Sequence, residues 1–438
     1  MWTPPSPKSR AKKAKDCPSC RTKDGDRRSP SRSPTNRARA GRTGRVRFQN
    51  KRMRQYPSAN SGRASLVARL AGLSLCAAVF AGGVDVSAAQ DDGARARLEE
   101  LLGVTARAML LNDYAYAVHV ARLALEGAHA VAAAEENEAH PVLIQALGGL
   151  GEAYRANHEC RKALVILDRA VHLAERDAVT VPPHALASLY LWRGDCARQN
   201  GDAELAGGDF GRVYEIIGRM RDGGFGLDFA ERLLFDVEVA RAELLAFAGD
   251  VSEADKVLAG LLDSGGAGVE PFRLGIWRAR ARIALLVAEG EETDSGDALD
   301  MTRALAVGGG ARTWVEVAEV FRLSAIASRL GGDEGGASQF FETEGEAWLR
   351  AAGDVEAADL PEVGDGLESV PGNGLYRAAS VAFAEAFFAQ VAAGGDGERL
   401  GRLAEVSLAT AERAFGAGSE EFMFLEERLR AAAPQQIK

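Results

Sequence analysis

Residues Gly149–Leu164, GLGEAYRANHECRKAL, admit two readings. His158, Glu159 and Cys160 stand together like the start of a metal or redox site. Leu150, Gly151, Tyr154, Ala163 and, just beyond, Leu167 stand instead at the spacings of two helices packed across a short turn. The first reading makes an enzyme, the second a scaffold.

The rest of the chain weighs on the choice. Leu147-x2-Leu150-Gly151-x2-Tyr154, then Ala163, Leu167 and Ala170, is answered 43 residues on. There the chain reads Tyr190-x3-Gly194-x2-Ala197-x3-Gly201, then Ala206, Phe210 and Val213. The physical reason for such a pattern is packing. A small residue on the first helix admits the second, and a large residue one turn on fills the remaining gap. Gly151, Tyr154, Ala163, Gly194, Ala206 and Phe210 are therefore the expected packing positions. Weaker copies start near Thr105, Ala242, Trp277 and Phe321, with a divergent last pair over 376–433. The turn matching His158-Glu159 is Asn200-Gly201-Asp202, which carries no ligand set, so the opening stretch reads as a helical hairpin. The six histidines (119, 129, 140, 158, 172, 184) gather in the first repeats. No two are three or four residues apart, so no helix face offers a metal pair. Neither a metal nor a cofactor is expected.

These spacings resemble the tetratricopeptide repeat, W-x2-L-G-x2-Y followed by A-x3-F. Repeat starts 43 to 48 residues apart, with NEAHPVLIQALGGLGEAYRA and LAEVSLATAERAFG, are similar to the longer, kinesin-light-chain type. The resemblance covers about 94–433. It implies an all-α, right-handed helical-hairpin solenoid whose first helices line a concave face. The groove asparagines of that type are replaced here by Gly148 and Gly149, and the Lys and Asn of a carboxylate clamp for chaperone tails are missing.

Charge divides the chain. Residues 1–89 carry 20 Lys and Arg against four acids, and residues 90–438 carry 33 against 58. A body this acidic argues against nucleic acid as a partner, which needs clustered cations. Residues 1–52 read as a basic segment, disordered or untranslated. Residues 53–89 read as a signal peptide: Arg63 and Arg69, the apolar run Leu70–Val84, then Ser87, Ala88 and Ala89 before a cut near Ala89. Export to a periplasm or outside the cell is expected. Organelle targeting or an uncleaved membrane anchor are the alternatives. Cys17-Pro18-Ser19-Cys20 has no second pair to complete a zinc site, and Cys160 and Cys196 are the only thiols of the body. The body divides into repeats over 94–350, an acidic Gly/Pro linker over 351–375, and a helical pair over 376–433.

No G-x-x-x-x-G-K-[ST], H-E-x-x-H or G-x-S-x-G occurs, and GGDGERLG at Gly394 has no strand before it. The sequence therefore predicts no enzyme. Its sharper signal is arginine on the first helices: Arg155, Arg198, Arg278, Arg282, Arg322 and Arg329. Guanidinium groups bind carboxylates in bidentate fashion, which suggests a protein or peptide partner, acidic in character, in the groove. Glu152, Asp195, Glu243 and Glu319 lie close enough in sequence to neutralise them instead. Two other readings stay open: a metal-binding protein or enzyme built on the His-rich repeats, and an architectural subunit that self-associates.

Overall fold

The computed structural model describes residues 92–134, 140–176 and 181–433, apart from 225, 265–271, 289–298, 301, 305, 307–310, 312 and 364–369. The expectations for residues 1–89 lie outside the described residues: the basic segment, Cys17, Cys20, the signal-like run and its cleavage point. The EGEETDSGD turn at 289–297 lies outside them too.

Small residues at the helix contacts and Gly-Asp pairs at the turns shape everything that follows. Helix α1 (Asp92–Leu110) pairs with α2 (Tyr114–Ala134), and α3 (Pro141–Ala156) with α4 (Cys160–Arg176). Helix α5 (Pro183–Gln199) pairs with α6 (Ala203–Asp222), and α7 (Leu227–Phe247) with α8 (Val251–Asp263). Helix α9 (Arg273–Ala288) follows. Then α10 (Trp314–Leu330) pairs with α11 (Glu334–Ala357), α12 (Asn373–Ala392) with α13 (Gly397–Phe415), and α14 (Glu420–Ala432) ends the series. The fold is all-α, with consecutive helices packed on one another and no strand among the described residues.

Six hairpin turns share one geometry. A residue with left-handed backbone stands just after the first helix: Asn112 (φ 60), His158 (φ 60), Gly201 (φ 82), Gly249 (φ 93), Gly332 (φ 75) and Gly394 (φ 67). The next N–H bonds back to the carbonyl five residues earlier in every case: Asp113 to Ala108, Glu159 to Tyr154, Asp202 to Ala197, Asp250 to Leu245, Asp333 to Ser328, and Gly395 to Gln390. This is the helix-ending bond that satisfies an orphan carbonyl. The aspartate then caps the second helix. Asp202 accepts from Leu205 N at 3.0 Å, Asp250 from Glu253 N at 3.3 Å, and Asp333 from Gly336 N at 2.8 Å. His158 thus occupies the position that glycine takes in four sister turns.

Packing explains the small residues. A Cβ on Gly151 would stand 2.5 Å from Leu167 Cγ, and one on Gly194 would stand 2.8 Å from Phe210 Cε1. Ala163 and Ala206 are fully buried opposite them, Phe210 is buried, and Tyr154 is partly buried. Each fully buried Leu or Phe here contributes roughly 1.5–3 kcal/mol. Gly345 of α11 repeats the device against the ring of Phe383 in α12, where a Cβ would stand 2.8 Å away.

Helix α11 runs on to Ala357, into the segment that charge and glycine content mark as a linker, because Ala351, Ala352 and Val355 continue its buried face. Beyond it the chain returns to the start of the series. Leu360, Val363 and Leu375 are buried in the same core as α1 to α7. The Asp113 carboxylate, itself fully buried, accepts from Gly372 N at 2.5 Å and from Tyr116 N at 3.4 Å. The Tyr116 hydroxyl donates to the Pro361 carbonyl, and His119 Nε2 lies 2.5 Å from the Val363 carbonyl oxygen. A Cβ on Gly374 would meet Ala115 Cβ at 2.7 Å, so the backbone of α12 abuts α2. Burial pushes the Asp113 carboxyl up to about 6, against the two backbone donors that favour its charge.

Candidate interaction surface

The first helices of successive hairpins carry charges that meet across the hairpin boundaries. Arg155 of α3 reaches Asp195 of α5 (Nη1 to Oδ2, 3.2 Å), and Asp195 also holds Arg198 (Nη2 to Oδ1, 2.7 Å). Arg198 bridges onward to Glu243 of α7 (Nη2 to Oε2, 2.8 Å), and Glu243 accepts from Arg282 of α9 at 2.6 Å. Arg278, one turn before Arg282, pairs with Glu319 of α10. Arg329, at the end of α10, pairs with Glu385 of α12 at 2.9 Å and with Glu334 at 3.5 Å. Arg322 is the electrostatic neighbour of Glu344 on α11. Arg155, Arg198 and Arg282 therefore lie along one chain of alternating charge with Asp195 and Glu243, Arg278 and Arg329 belong to separate pairs, and Arg322 acts on Glu344.

The middle pairs are the shielded ones: Asp195, Arg198 and Glu243 are each largely enclosed, whereas Arg282, Arg329 and Glu385 are open to solvent. Glu243 is 9 % exposed, so its bridge to the enclosed Arg198 is more than a solvated surface pair. Burial works against the Asp195 carboxylate, but Arg155 and Arg198 outweigh it and hold it below the usual range. The Arg155 guanidinium is driven up against its own desolvation by Asp195 and Glu152, and that of Arg282 chiefly by Glu243. Tyr114, at the start of α2, completes the surface. Its hydroxyl donates to Asn112 Oδ1 at 2.6 Å, and Glu319, Arg155 and Arg278 all act on it electrostatically. Burial pushes its phenol well above the ordinary value.

Not every polar atom on this line is met by the protein. Arg155 Nε, Arg278 Nε and Trp277 Nε1 are buried donors without a protein acceptor, and Glu344 Oε2 is a buried acceptor without a donor. Glu344 is 3 % exposed. Its other oxygen accepts from Trp348 Nε1 at 3.1 Å, and burial pushes the carboxyl up to about 7. Sequence reasoning missed Glu344, Asp113 and a second buried pair, Arg193–Asp209. That pair is bidentate (2.8 and 2.7 Å), with Asp209 3 % exposed, and Arg193 also holds Asp168 at 2.9 Å. A signal for it existed: Asp209 is an acid among apolar positions, beside the core residue Phe210.

The histidines are spread over separate jobs. His140 caps α3 by accepting from Val142 N at 3.2 Å, His158 forms its turn, and His184 lies against the Phe229 ring with centroids 5.1 Å apart. Among the described residues no three His, Cys, Asp or Glu side chains converge as metal ligands, and no helix is long and apolar enough to cross a membrane. Comparison with family models and with curated proteins finds no match for this chain.

Proposed function

We propose that this chain is a tetratricopeptide-like, right-handed interaction scaffold. It performs no chemistry and binds a peptide or protein partner along the charged line of its first helices. The carrying observation is the line of charge that Arg155, Asp195, Arg198, Glu243 and Arg282 form across the first helices. Guanidinium groups bind carboxylates in bidentate fashion, so this line favours a partner rich in acceptors, such as peptide carbonyls and carboxylates. An acidic segment fits this line by sharing its guanidinium groups with Asp195, Glu243 and Glu319. The signal-like run Leu70–Val84 supports export; N-terminal sequencing that finds a mature start at Gln90 is the expected result.

The test is affinity capture from native extract with the full chain as bait. A second bait carries Arg278→Glu together with Glu319→Arg, which keeps an ion pair but reverses its field. A protein enriched by the first bait and lost from the second, with both equally helical by circular dichroism, is expected. Identical capture by both refutes the reading.

One observation favours a second reading, self-association. Met423 and Phe424 are 50 % and 57 % exposed on α14, the last of the described helices, and form an apolar patch there. Light scattering of wild type against Phe424→Glu separates the two readings: a dimer dissolved by that change supports an architectural subunit.

A further inference from the structure

Cys160 and Cys196 lie 36 positions apart in the chain and face one another in the core. Cys160 is the first residue of α4, and Cys196 lies in the last turn of α5, the helix packed against it. Both are free thiols, both belong to the same buried cluster, and the two side chains are hydrogen-bonded to each other. The start of α4 and the end of α5 lie side by side in the packed pair, which brings the two thiols together, and a disulfide forms without backbone movement only between such neighbours.

The two thiols are not equivalent. Cys160 begins a helix, where the backbone N–H groups and the helix dipole favour a thiolate; Cys196 sits at the opposite, negative end of its own helix. The Cys196 thiol donates to Cys160 and so lowers its pKa. Arg155 and Arg198 add to this, while burial and Asp195 oppose it. The same bond, together with burial, pushes Cys196 up. Access differs in the same sense. Cys160 adjoins the surface turn at His158, which is exposed, whereas Cys196 is wholly enclosed.

We propose that Cys160 and Cys196 are a redox-active dithiol that closes to a disulfide by exchange with an external disulfide, Cys160 attacking first and Cys196 resolving. The Cys160 thiolate attacks one sulfur of the external disulfide, forming a mixed disulfide and expelling one thiolate. Cys196 gives up its proton to that thiolate and attacks Cys160 Sγ, expelling the second. Two protein thiols are oxidised, and the external disulfide is reduced to two thiols. The bond formed ties α4 to α5 beside Arg155, Asp195 and Arg198, and so fixes two hairpins of the proposed binding surface. This inference stands apart from that surface: the cysteines can close whether or not a partner binds there.

The test uses the full chain and oxidised glutathione as the disulfide. After exposure, the protein is denatured, alkylated and mapped by peptide mass. The expected result is loss of alkylation at both positions, with the two peptides linked and lighter by two hydrogens, and reversal by dithiothreitol. In Cys196→Ala the glutathione adduct should build up on Cys160, on the order of tenfold faster than any adduct on Cys196 in Cys160→Ala. Full alkylation of both cysteines in the oxidant-treated wild type overturns the proposal, and that readout does not depend on the variants folding. An adduct that forms faster on Cys196 overturns the assignment of the attacking thiol.

Discussion

Replacing Glu344 by Gln should stabilise the protein in alkaline solution and leave it almost unchanged in acid. The carboxyl is enclosed, it has one protein donor for two oxygens, and burial pushes its pKa from 4.5 to about 7. Between those values the folded state keeps a proton that the unfolded chain has lost. Stability therefore falls as pH rises from about 4.5 to about 7, and the full cost stands above that window. At 1.36 kcal/mol for each tenfold change in proton affinity, the cost is about 3 kcal/mol. Glutamine removes the buried charge and keeps an acceptor for Trp348, and the opposing attraction of Arg322 is already contained in the net shift. The expected net gain is about 3 kcal/mol at pH 8.5 and close to zero at pH 5. Urea denaturation followed by circular dichroism at both pH values measures it. Asp113 also titrates within this range, so the quantity to read is the difference between variant and wild type. A Gln variant that is less stable at pH 8.5, or equally shifted at both pH values, refutes the argument that Glu344 is an uncompensated buried charge.

Three other changes probe the frame. His158→Gly, at a left-handed position (φ 60) where four sister turns carry glycine, should raise stability by about 0.5–1 kcal/mol in thermal unfolding. Gly194→Ala places a Cβ 2.8 Å from Phe210 and should cost about 1–3 kcal/mol, with Phe210→Leu in the same chain recovering part of it. Asp113→Ala leaves the Gly372 and Tyr116 N–H groups without their carboxylate and should cost about 2–4 kcal/mol, with amide exchange rising at both ends of the contact.

How legible all this was depends on the range of each interaction. The hairpins could be read because their determinants are local: Gly151 against Leu167, Gly194 against Phe210, and Gly-Asp at the turn all lie within some twenty residues of each other. The arginines on the first helices could be read too, and so could the acids beside them. Which acid meets which arginine could not, because Arg155–Asp195 and Arg278–Glu319 span about forty residues and depend on how one hairpin leans on the next. Cys160 and Cys196 were visible as the body's only thiols, yet their contact is set by the same lean. The return of Leu360, Val363 and Leu375 to the first helices was the least legible feature. It rests on the summed rotation of every hairpin between, and a run of acids and glycines gives no sign of it.

The bond from Gly372 to Asp113 also bears on how the chain reaches its folded form. Repeats that touch only their neighbours fold as a line: any hairpin can nucleate, growth spreads both ways, and rates reflect short-range contacts. A contact that joins residues 113 and 372 adds a step that cannot finish until the hairpins between are in place. Closing so long a segment carries an entropy cost that grows only logarithmically with length, so the step is slow more for its order than for its size. The molecule would then gather its helices early and seat the last piece late, and an interval between helix formation and protection of the Gly372 amide would be the kinetic mark of that seam.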